Sequence, residues 1–247
     1  MARVDRTRIR TAAEFMAGLA ASRSDADAQA MQRYFKTGEG EYGAGDVFMG
    51  VRMGDVFNLA RQSHAMPLAE IETLLESPIH EARAGAVSIM TEQYGRKAAT
   101  EAERQALFDL YFRRHDRINN WDLVDKGTVW LVAPHMADRP FDLLRDLAAS
   151  TNLWERRSAI MGTMSCARRG QRLDEVLGIV ELLLADREDL IHKATGWVLR
   201  VIGDQDRPAL LAFLDRHAAT MPRTALRYAL EHFDKETRAH YMALGKG

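Results

Sequence analysis

Helix signals recur along this chain from end to end, and signals for strands are nearly absent. The strings TAAE, from Thr11, and TEAE, from Thr100, have the spacing of a capping box, and each opens a segment with apolar residues at helical intervals. Pro78 and Pro222 are typical of helix entrances, where a missing N–H costs little. The pattern continues, with short breaks, through RPFDLLRDLAAS, NLWERRSAIMGTMSCARR, RLDEVLGIVELLLAD and REDLIHKATGWVLRVIG. We therefore expect an all-α fold.

Aromatic and charged residues in these helices follow a longer period. Trp121 and Arg157 are 36 residues apart, and Arg157 and Trp197 are 40 residues apart. Both spacings are close to the helix-pair period of HEAT-type repeats, roughly 40 residues. We expect an α-α superhelix (solenoid) of HEAT-like helix pairs, in which residues one repeat apart line the concave surface. Because no short string recurs at this period, a compact helical bundle remains the alternative.

The length and charge of the chain limit the number of domains and the classes of protein to which it can belong. A chain of 247 residues is long enough to bury a substantial core, and we expect a single domain over 1–247. Within it, 1–37 would form amino-terminal helices, 38–50 a glycine-rich loop and 51–247 the repeats. With 34 basic and 35 acidic residues, the bulk charge argues against a highly basic nucleic-acid binder but still permits a basic face.

The segment from Lys36 to Gly50, KTGEGEYGAGDVFMG, contains five glycines and is predicted to be a long loop. Gly38, Gly40 and Gly43 have the spacing of the dinucleotide-binding fingerprint. That motif needs a strand before it and a helix directly after it, whereas the preceding string AQAMQRYF has a helical pattern. We attribute the match to chance and expect no cofactor.

Disulfides, membrane spans and metal centres are not expected. Cys166 is the single cysteine, which favours a reducing, cytoplasmic setting, and its apolar helix predicts a core position. No apolar run has the length of a signal peptide or a bilayer span, so we expect a soluble protein. No HExxH pair or GxSxG elbow occurs, so no metal is expected and nucleophilic hydrolysis is unsupported. His80, His192 and His232 are predicted to face the helix surface or a partner.

Four residues form the candidate site. Trp121 and Asp125 share a helix face through their i, i+4 spacing. In the next repeat Trp154 fits the buried stripe, so that Arg157 could project towards the concave side, and Trp197 follows one repeat later. Taken singly, a tryptophan usually belongs to a core and a helical aspartate usually caps or pairs. Four such residues in register favour a site where a carboxylate and indole rings face a cationic group.

The strings NNWDLVD, NLWERRSAI and DLIHKATGWVLR, with FMGVR before them and MPRTALRYALEHF after them, resemble the DNA alkylation repair glycosylases of the AlkD-like family with HEAT-like repeats. The resemblance runs from about Met31 to the end of the chain. It implies an α-helical solenoid with a concave DNA-binding groove that excises positively charged alkylated purines, such as 3-methyladenine and 7-methylguanine, from duplex DNA. It also implies that Asp125 is catalytic, that Trp121 and Trp197 are the paired tryptophans and that Arg157 is the active-site arginine.

This activity would need only one carboxylate. Alkylation at N3 or N7 makes the purine cationic, so the base departs neutral without the general acid that most glycoside hydrolases use. Asp125 would stabilise the oxocarbenium-like sugar and orient or deprotonate a water molecule. Trp121 and Trp197 would present π-faces to the same cation, and Arg157 would hold a phosphate near the lesion.

The expected partner is double-stranded DNA carrying alkylated bases, bound by a monomer. Arg52, Arg83, Lys193 and Arg200 are the predicted basic track along the duplex, and the salt dependence of binding would count such contacts. The family is thought to work without the pocket into which most glycosylases turn a base. Recognition would then rest on the charge of the lesion and its weakened stacking, with tolerance of bulky adducts.

One departure from the family pattern lies after GVR. The family usually continues with a proline and then a basic residue, whereas this chain has Gly54 and Phe57, which puts an amino-terminal phosphate contact in doubt. Some relatives keep the solenoid without activity on alkylated bases. The alternatives are therefore an inactive relative that binds distorted or branched DNA, and a HEAT-type protein-binding scaffold. The four retained residues favour a monofunctional DNA N-glycosylase.

Overall fold

The computed structural model describes residues 8–244, and these residues fold as helices joined by loops, so the prediction of an all-α fold is confirmed. Within this range there is no strand, and an isolated β-bridge joins Val47 to Ile79. A 3₁₀ turn spans His115–Arg117, and a π-helical turn spans Thr128–Val132. The α-helices are α1 (Ala12–Ala21), α2 (Asp25–Tyr34), α3 (Met53–Gln62), α4 (Leu68–Leu75), α5 (His80–Tyr94), α6 (Glu101–Arg113), α7 (Trp121–Gly127), α8 (Ala133–Met136), α9 (Asp142–Ala148), α10 (Leu153–Met161), α11 (Met164–Arg169), α12 (Leu173–Leu183), α13 (Asp189–Gln205), α14 (Arg207–His217), α15 (Arg223–Ala229) and α16 (Lys235–Ala243).

Helix starts follow the local signals closely. Thr11 and Thr100 are the N-caps of α1 and α6, and both form the predicted capping box with the glutamate three residues later. Pro222 stands at the N-cap of α15. Near Pro78 the helix begins later than predicted. The first residue of α5 is His80, and its N-cap is Ile79.

The glycine-rich segment is a loop, as predicted, since the chain has no helix between Tyr34 and Met53. A helix, α2, precedes it, which agrees with our attribution of the dinucleotide fingerprint to chance. Gly50 has a φ of +80°, and a Cβ at this position would overlap with the carbonyl oxygen of Ser24. Only glycine therefore fits where this loop passes the start of α2.

The helices group into two compact units that divide between Leu131 and Val132. In the first unit α5 is buried along nearly its whole length and packs against α3, α4, α6 and α7. Gly85 allows α1 to approach α5, because a Cβ there would overlap with the ring of Phe15. The α5 helix is therefore the support on which α7, with Trp121 and Asp125, is placed.

The second unit is built around α13, which packs against α10, α11, α12, α14 and α15. Its core includes the fully buried side chains of Ile191, Phe213 and Leu214. Cys166 is also buried, as predicted, and its thiol lies 3.5 Å from the carbonyl oxygen of Ala137. The expectation of a single domain over the whole chain stays a prediction. Among the helices of residues 8–244, none combines the length and the apolar character needed to cross a membrane.

Candidate active site

Trp121 and Asp125 lie one turn apart on α7, and both side chains are half-buried. Asn120 is the N-cap of this helix, and its Oδ1 accepts a hydrogen bond from the N–H of Trp121 at 2.9 Å. Its Nδ2 donates to Oδ2 of Asp46 at 2.8 Å. The start of α7 is therefore fixed both to its own first turn and to the glycine-rich loop.

The indole of Trp121 belongs to an aromatic cluster. It stacks on Phe35, with centroids 5.6 Å apart and planes at 20°, and it meets the ring of Tyr34 edge-on at 6.0 Å. Phe35 in turn stacks on Phe48 at 5.1 Å. Stacked and edge-on pairs of this kind are favourable geometries for aromatic rings. They set the plane of the indole before any ligand arrives.

His80, the first residue of α5, lies beneath this cluster and joins two carboxylates. Its Nδ1 lies 3.1 Å from Oδ2 of Asp46, and its Nε2 lies 2.8 Å from Oδ2 of Asp122, the residue after Trp121. The imidazole is fully buried and packs against the rings of Phe35 and Phe48. The prediction that His80 faces the surface or a partner is therefore wrong, because both ring nitrogens have carboxylate partners from distant parts of the chain. Asp122 lies in the first turn of α7, and its carboxylate pairs with the buried ring of His80.

The two carboxylates keep His80 charged. Each ionised carboxylate is an acceptor, so both ring nitrogens must carry a hydrogen to satisfy them. Burial alone would lower the pKa of His80, but the negative charges of Asp122 and Asp46 outweigh it and raise that pKa to about 9. For Asp46, burial opposes ionisation, yet hydrogen bonds from His80 and Asn120 bring its pKa below the usual value.

Arg83 belongs to this buried network and not to a DNA track. Its side chain is on α5 and the residue is 3% exposed, its Nη1 donates to the carbonyl oxygen of Ser77 at 3.0 Å, and its Nη2 donates to Oδ1 of Asp46. Two cations, His80 and Arg83, thus face two anions, Asp46 and Asp122. The predicted contact between Arg83 and a duplex is therefore corrected, since the guanidinium is enclosed by its intramolecular partners.

Glu81 fixes the same loop from the next position of α5. Its fully buried carboxylate accepts hydrogen bonds from the N–H groups of Met49 (3.1 Å), Gly50 (2.8 Å) and Val51 (3.1 Å). Backbone N–H groups that converge on one carboxylate satisfy both the charge and the buried donors. The string HEAR at the start of α5 thus holds the loop that carries Asp46 and Phe48.

The start of α3 carries another residue of the predicted track. Arg52 is largely exposed, and its Nε donates to Oδ2 of Asp27 at 3.1 Å. Gly54 lies in the first turn of α3, where a Cβ would have no heavy atom within 4 Å. The ring of Phe57 lies 5.2 Å from the ammonium of Lys126, a cation–π geometry. The departure at position 57 therefore places an aromatic ring beside a cation of α7.

In the second unit, α13 carries Trp197 and Lys193, one turn apart. Trp197 is half-buried, and Lys193 forms an ion pair with Asp189 at 2.7 Å on the same helix. Gly196 lies where α13 approaches α15, and a Cβ there would crowd the carbonyl oxygen of Ala225. The glycine before Trp197 is therefore required by helix packing.

Arg157 lies on α10 and is 5% exposed, so it joins the buried residues of that helix together with Trp154, for which burial was predicted. Its Nη1 donates to the carbonyl oxygen of Leu190. Arg200, on α13, forms an ion pair with Glu231. The phosphate contacts expected of Arg157, Arg200, Lys193 and Arg52 stay predictions, and each would require a guanidinium or ammonium that has a protein partner in this structure.

The amino-acid sequence matches the model of a protein family described as DNA alkylation repair enzyme over residues 15–233. The chain belongs to this DNA alkylation repair enzyme family. Comparison with curated proteins finds no match. A solved structure described as a predicted DNA alkylation repair enzyme from Enterococcus faecalis is similar at a TM-score of 0.67 and 19% identity, over 87% of this chain and 98% of that one. At this identity the likeness shows a shared fold.

In this member of the DNA alkylation repair enzyme family, sequence reasoning missed the residues that support α7. The phenylalanines at 35 and 48 and the charged residues at 46, 80 and 83 come from three segments, so no single local pattern joins them. The string HEAR could have indicated a buried charged network, because it places three ionisable residues at the start of a helix that is otherwise rich in small and apolar residues. In residues 8–244, no group of three or more His, Cys, Asp or Glu side chains is placed to hold a metal ion.

Proposed function

We propose that this DNA alkylation repair enzyme is a monofunctional DNA N-glycosylase. It hydrolyses the N-glycosidic bond of positively charged alkylated purines, such as 3-methyladenine and 7-methylguanine, in duplex DNA. The observation that carries the proposal is the pair on α7, where Asp125 lies one turn from Trp121 and both are half-buried. The protein acts as a cytoplasmic monomer, without a cofactor or a metal.

The reaction breaks the bond between C1′ of the deoxyribose and the purine nitrogen. The electron pair goes to the purine, whose charge is thereby neutralised, so no acid has to protonate the leaving base. Positive charge develops on the sugar ring, and the carboxylate of Asp125 stabilises it. Water adds to C1′ and loses its proton to Asp125 or to solvent, which leaves an abasic site and the free base.

Trp121 supports the same cation through its π-face. Each cation–π contact contributes about 0.5 to 2 kcal/mol, depending on how dry the site is. The stack of Trp121 on Phe35 supports this role, because it orients the indole in advance. Trp197 supplies the second indole and Arg157 a contact to a phosphate near the lesion, while Arg52, Lys193 and Arg200 contact the backbone of the duplex.

The experiment measures base release from methylated duplex DNA under single-turnover conditions. We expect Asp125→Asn to slow release by about 100-fold or more, the range typical of a positioned acid–base residue. The matched control is Asp142→Asn, an exposed carboxylate on α9 that pairs with Arg145 at 3.1 Å. Release that continues unchanged in Asp125→Asn would remove the catalytic role of this residue.

Binding and base release by the wild-type protein in this assay also distinguish the proposed glycosylase from the two alternative functions. Tight binding without release would favour a relative that holds distorted or branched DNA. Neither binding nor release would favour a protein-binding scaffold. Measuring the affinity for the same duplex beside the release rate separates these outcomes.

A further inference from the structure

Trp130 lies just after α7 and is 55% exposed, unlike its neighbours Val129 and Leu131, which are buried. Trp130 lies within the π-helical turn over Thr128–Val132, which is wider than a regular helical turn. Pro134, in the first turn of α8, has no N–H to donate to the carbonyl group of Trp130. Turns of the π-helical kind frequently occur at functional sites.

Trp130 lines an open pocket of about 620 Å³ in the first unit. The pocket is also lined by Lys126, by Arg96 and Lys97 beyond the end of α5, and by Glu92. Three basic side chains therefore face one carboxylate. Arg96 already pairs with Glu103 at 3.1 Å, whereas Lys97 is an exposed lysine at the rim. The lining has the charge expected of an anion-binding site.

Lys126 is held where its charge is poorly solvated. It is half-buried, and its ammonium lies over the ring of Phe57. Burial lowers the pKa of Lys126, the positive charge of Arg61 lowers it further, and the negative charge of Glu92 opposes both. A ligand anion in the pocket would restore the stabilisation that burial removes.

We infer that this pocket is a nucleic-acid contact in which Lys97 and Lys126 bind a backbone phosphate of DNA and Trp130 packs against the adjoining sugar or base. This inference rests on the proposed function and adds a strand-holding site to it. Cations beside an exposed aromatic ring are the combination that nucleic-acid-binding surfaces use, because every base has a π-face and every nucleotide a phosphate. The pocket is open to solvent, as contact with a long polymer requires.

The test is the affinity for an undamaged, fluorescently labelled DNA duplex at a series of salt concentrations. We expect Lys97→Gln and Lys126→Gln each to weaken binding and to reduce the slope of log affinity against log salt, by about one unit when both are changed, because the two lysines share one phosphate. Trp130→Ala should weaken binding by about five-fold or more. Lys235→Gln, an exposed lysine at the start of α16, is the matched control and should behave as the wild type. Because Lys97 is exposed, its variant tests the site without disturbing the core.

Unchanged affinity and slope for the duplex in the Lys97 and Trp130 variants would overturn the inference. Base release separates this outcome from the proposed function. If the wild type binds DNA and the variants bind more weakly, but no base is released, the glycosylase proposal fails while the contact site stands. If the wild type releases base and the variants bind normally, the contact site fails while the glycosylase proposal stands.

Discussion

The Nε2–H of His80 donates a hydrogen bond to Oδ2 of Asp122 at 2.8 Å, and this bond ties the buried start of α5 to the first turn of α7. Asp122 follows Trp121 directly and precedes Asp125 by three residues. The helix that carries both site residues is thus held by a charged pair inside the protein. Breaking one member of such a pair leaves the other charge buried without its counterion.

His80→Gln should lower the free energy of unfolding by about 3 to 5 kcal/mol, the range for removal of one partner from a buried ion pair. Urea denaturation measures the loss. The control is His232→Gln, because His232 pairs with Asp204 at 2.7 Å on the surface and such pairs contribute about 0 to 1 kcal/mol. Similar small losses in both variants would contradict the importance of the buried network.

Stability should also depend on pH through His80. Its pKa is about 9 in the folded protein against an ordinary value of 6.5, since Asp122 and Asp46 favour the charged ring over the opposing effect of burial. Because its pKa is raised, protonated His80 stabilises the fold by on the order of 3 kcal/mol, and this contribution is fully present below about pH 6.5. It is lost as the pH rises to about 9. Denaturation curves measured between these pH values should show the decline. If the stability of His80→Gln declines equally over this pH range, groups other than His80 cause the pH dependence.

Trp121→Leu should slow base release by about 2- to 30-fold, the equivalent of one lost cation–π contact. Trp121→Phe keeps an aromatic face and the stack with Phe35, and it should lose less. Single-turnover rates at saturating protein measure the effect apart from binding. If Leu and Phe at this position give the same rate, the indole acts through packing and not through its π-face.

Two helical glycines should respond oppositely to alanine. Gly127 ends α7, and a Cβ there would overlap with the ring of Tyr111, which is fully buried. Gly127→Ala should therefore destabilise the protein by about 1 to 3 kcal/mol. Gly178 lies inside α12, where a Cβ would have no heavy atom within 4 Å, so Gly178→Ala should stabilise it by about 0.5 to 1 kcal/mol. Thermal denaturation of the two variants measures both changes, and a shift in the same direction would contradict this packing.

The features that could be predicted from the sequence are those that depend on neighbouring residues. The capping boxes at Thr11 and Thr100 and the N-cap at Asn120 use hydrogen bonds within one turn, so the local string contains both partners. The placement of Trp121 and Asp125 on one helix follows from the same local periodicity.

The surroundings of α7 could not be predicted, because they depend on contacts between distant segments. In the sequence, Arg83 has the pattern of a surface cation. In the structure the glycine-rich loop brings Asp46, which is distant in sequence, into an ion pair with it. His80 is misread for the same reason, since its carboxylate partners come from that loop and from α7. Charged residues can be buried when opposite charges meet them, and only the tertiary fold determines where this happens.

The three N–H groups that donate to Glu81 tie the end of the glycine-rich loop to α5 despite the composition of that loop. Amide hydrogens bonded to a buried carboxylate exchange with deuterium only when the loop separates from α5. The exchange rates of Met49, Gly50 and Val51 would therefore report how often the support beneath Trp121 opens.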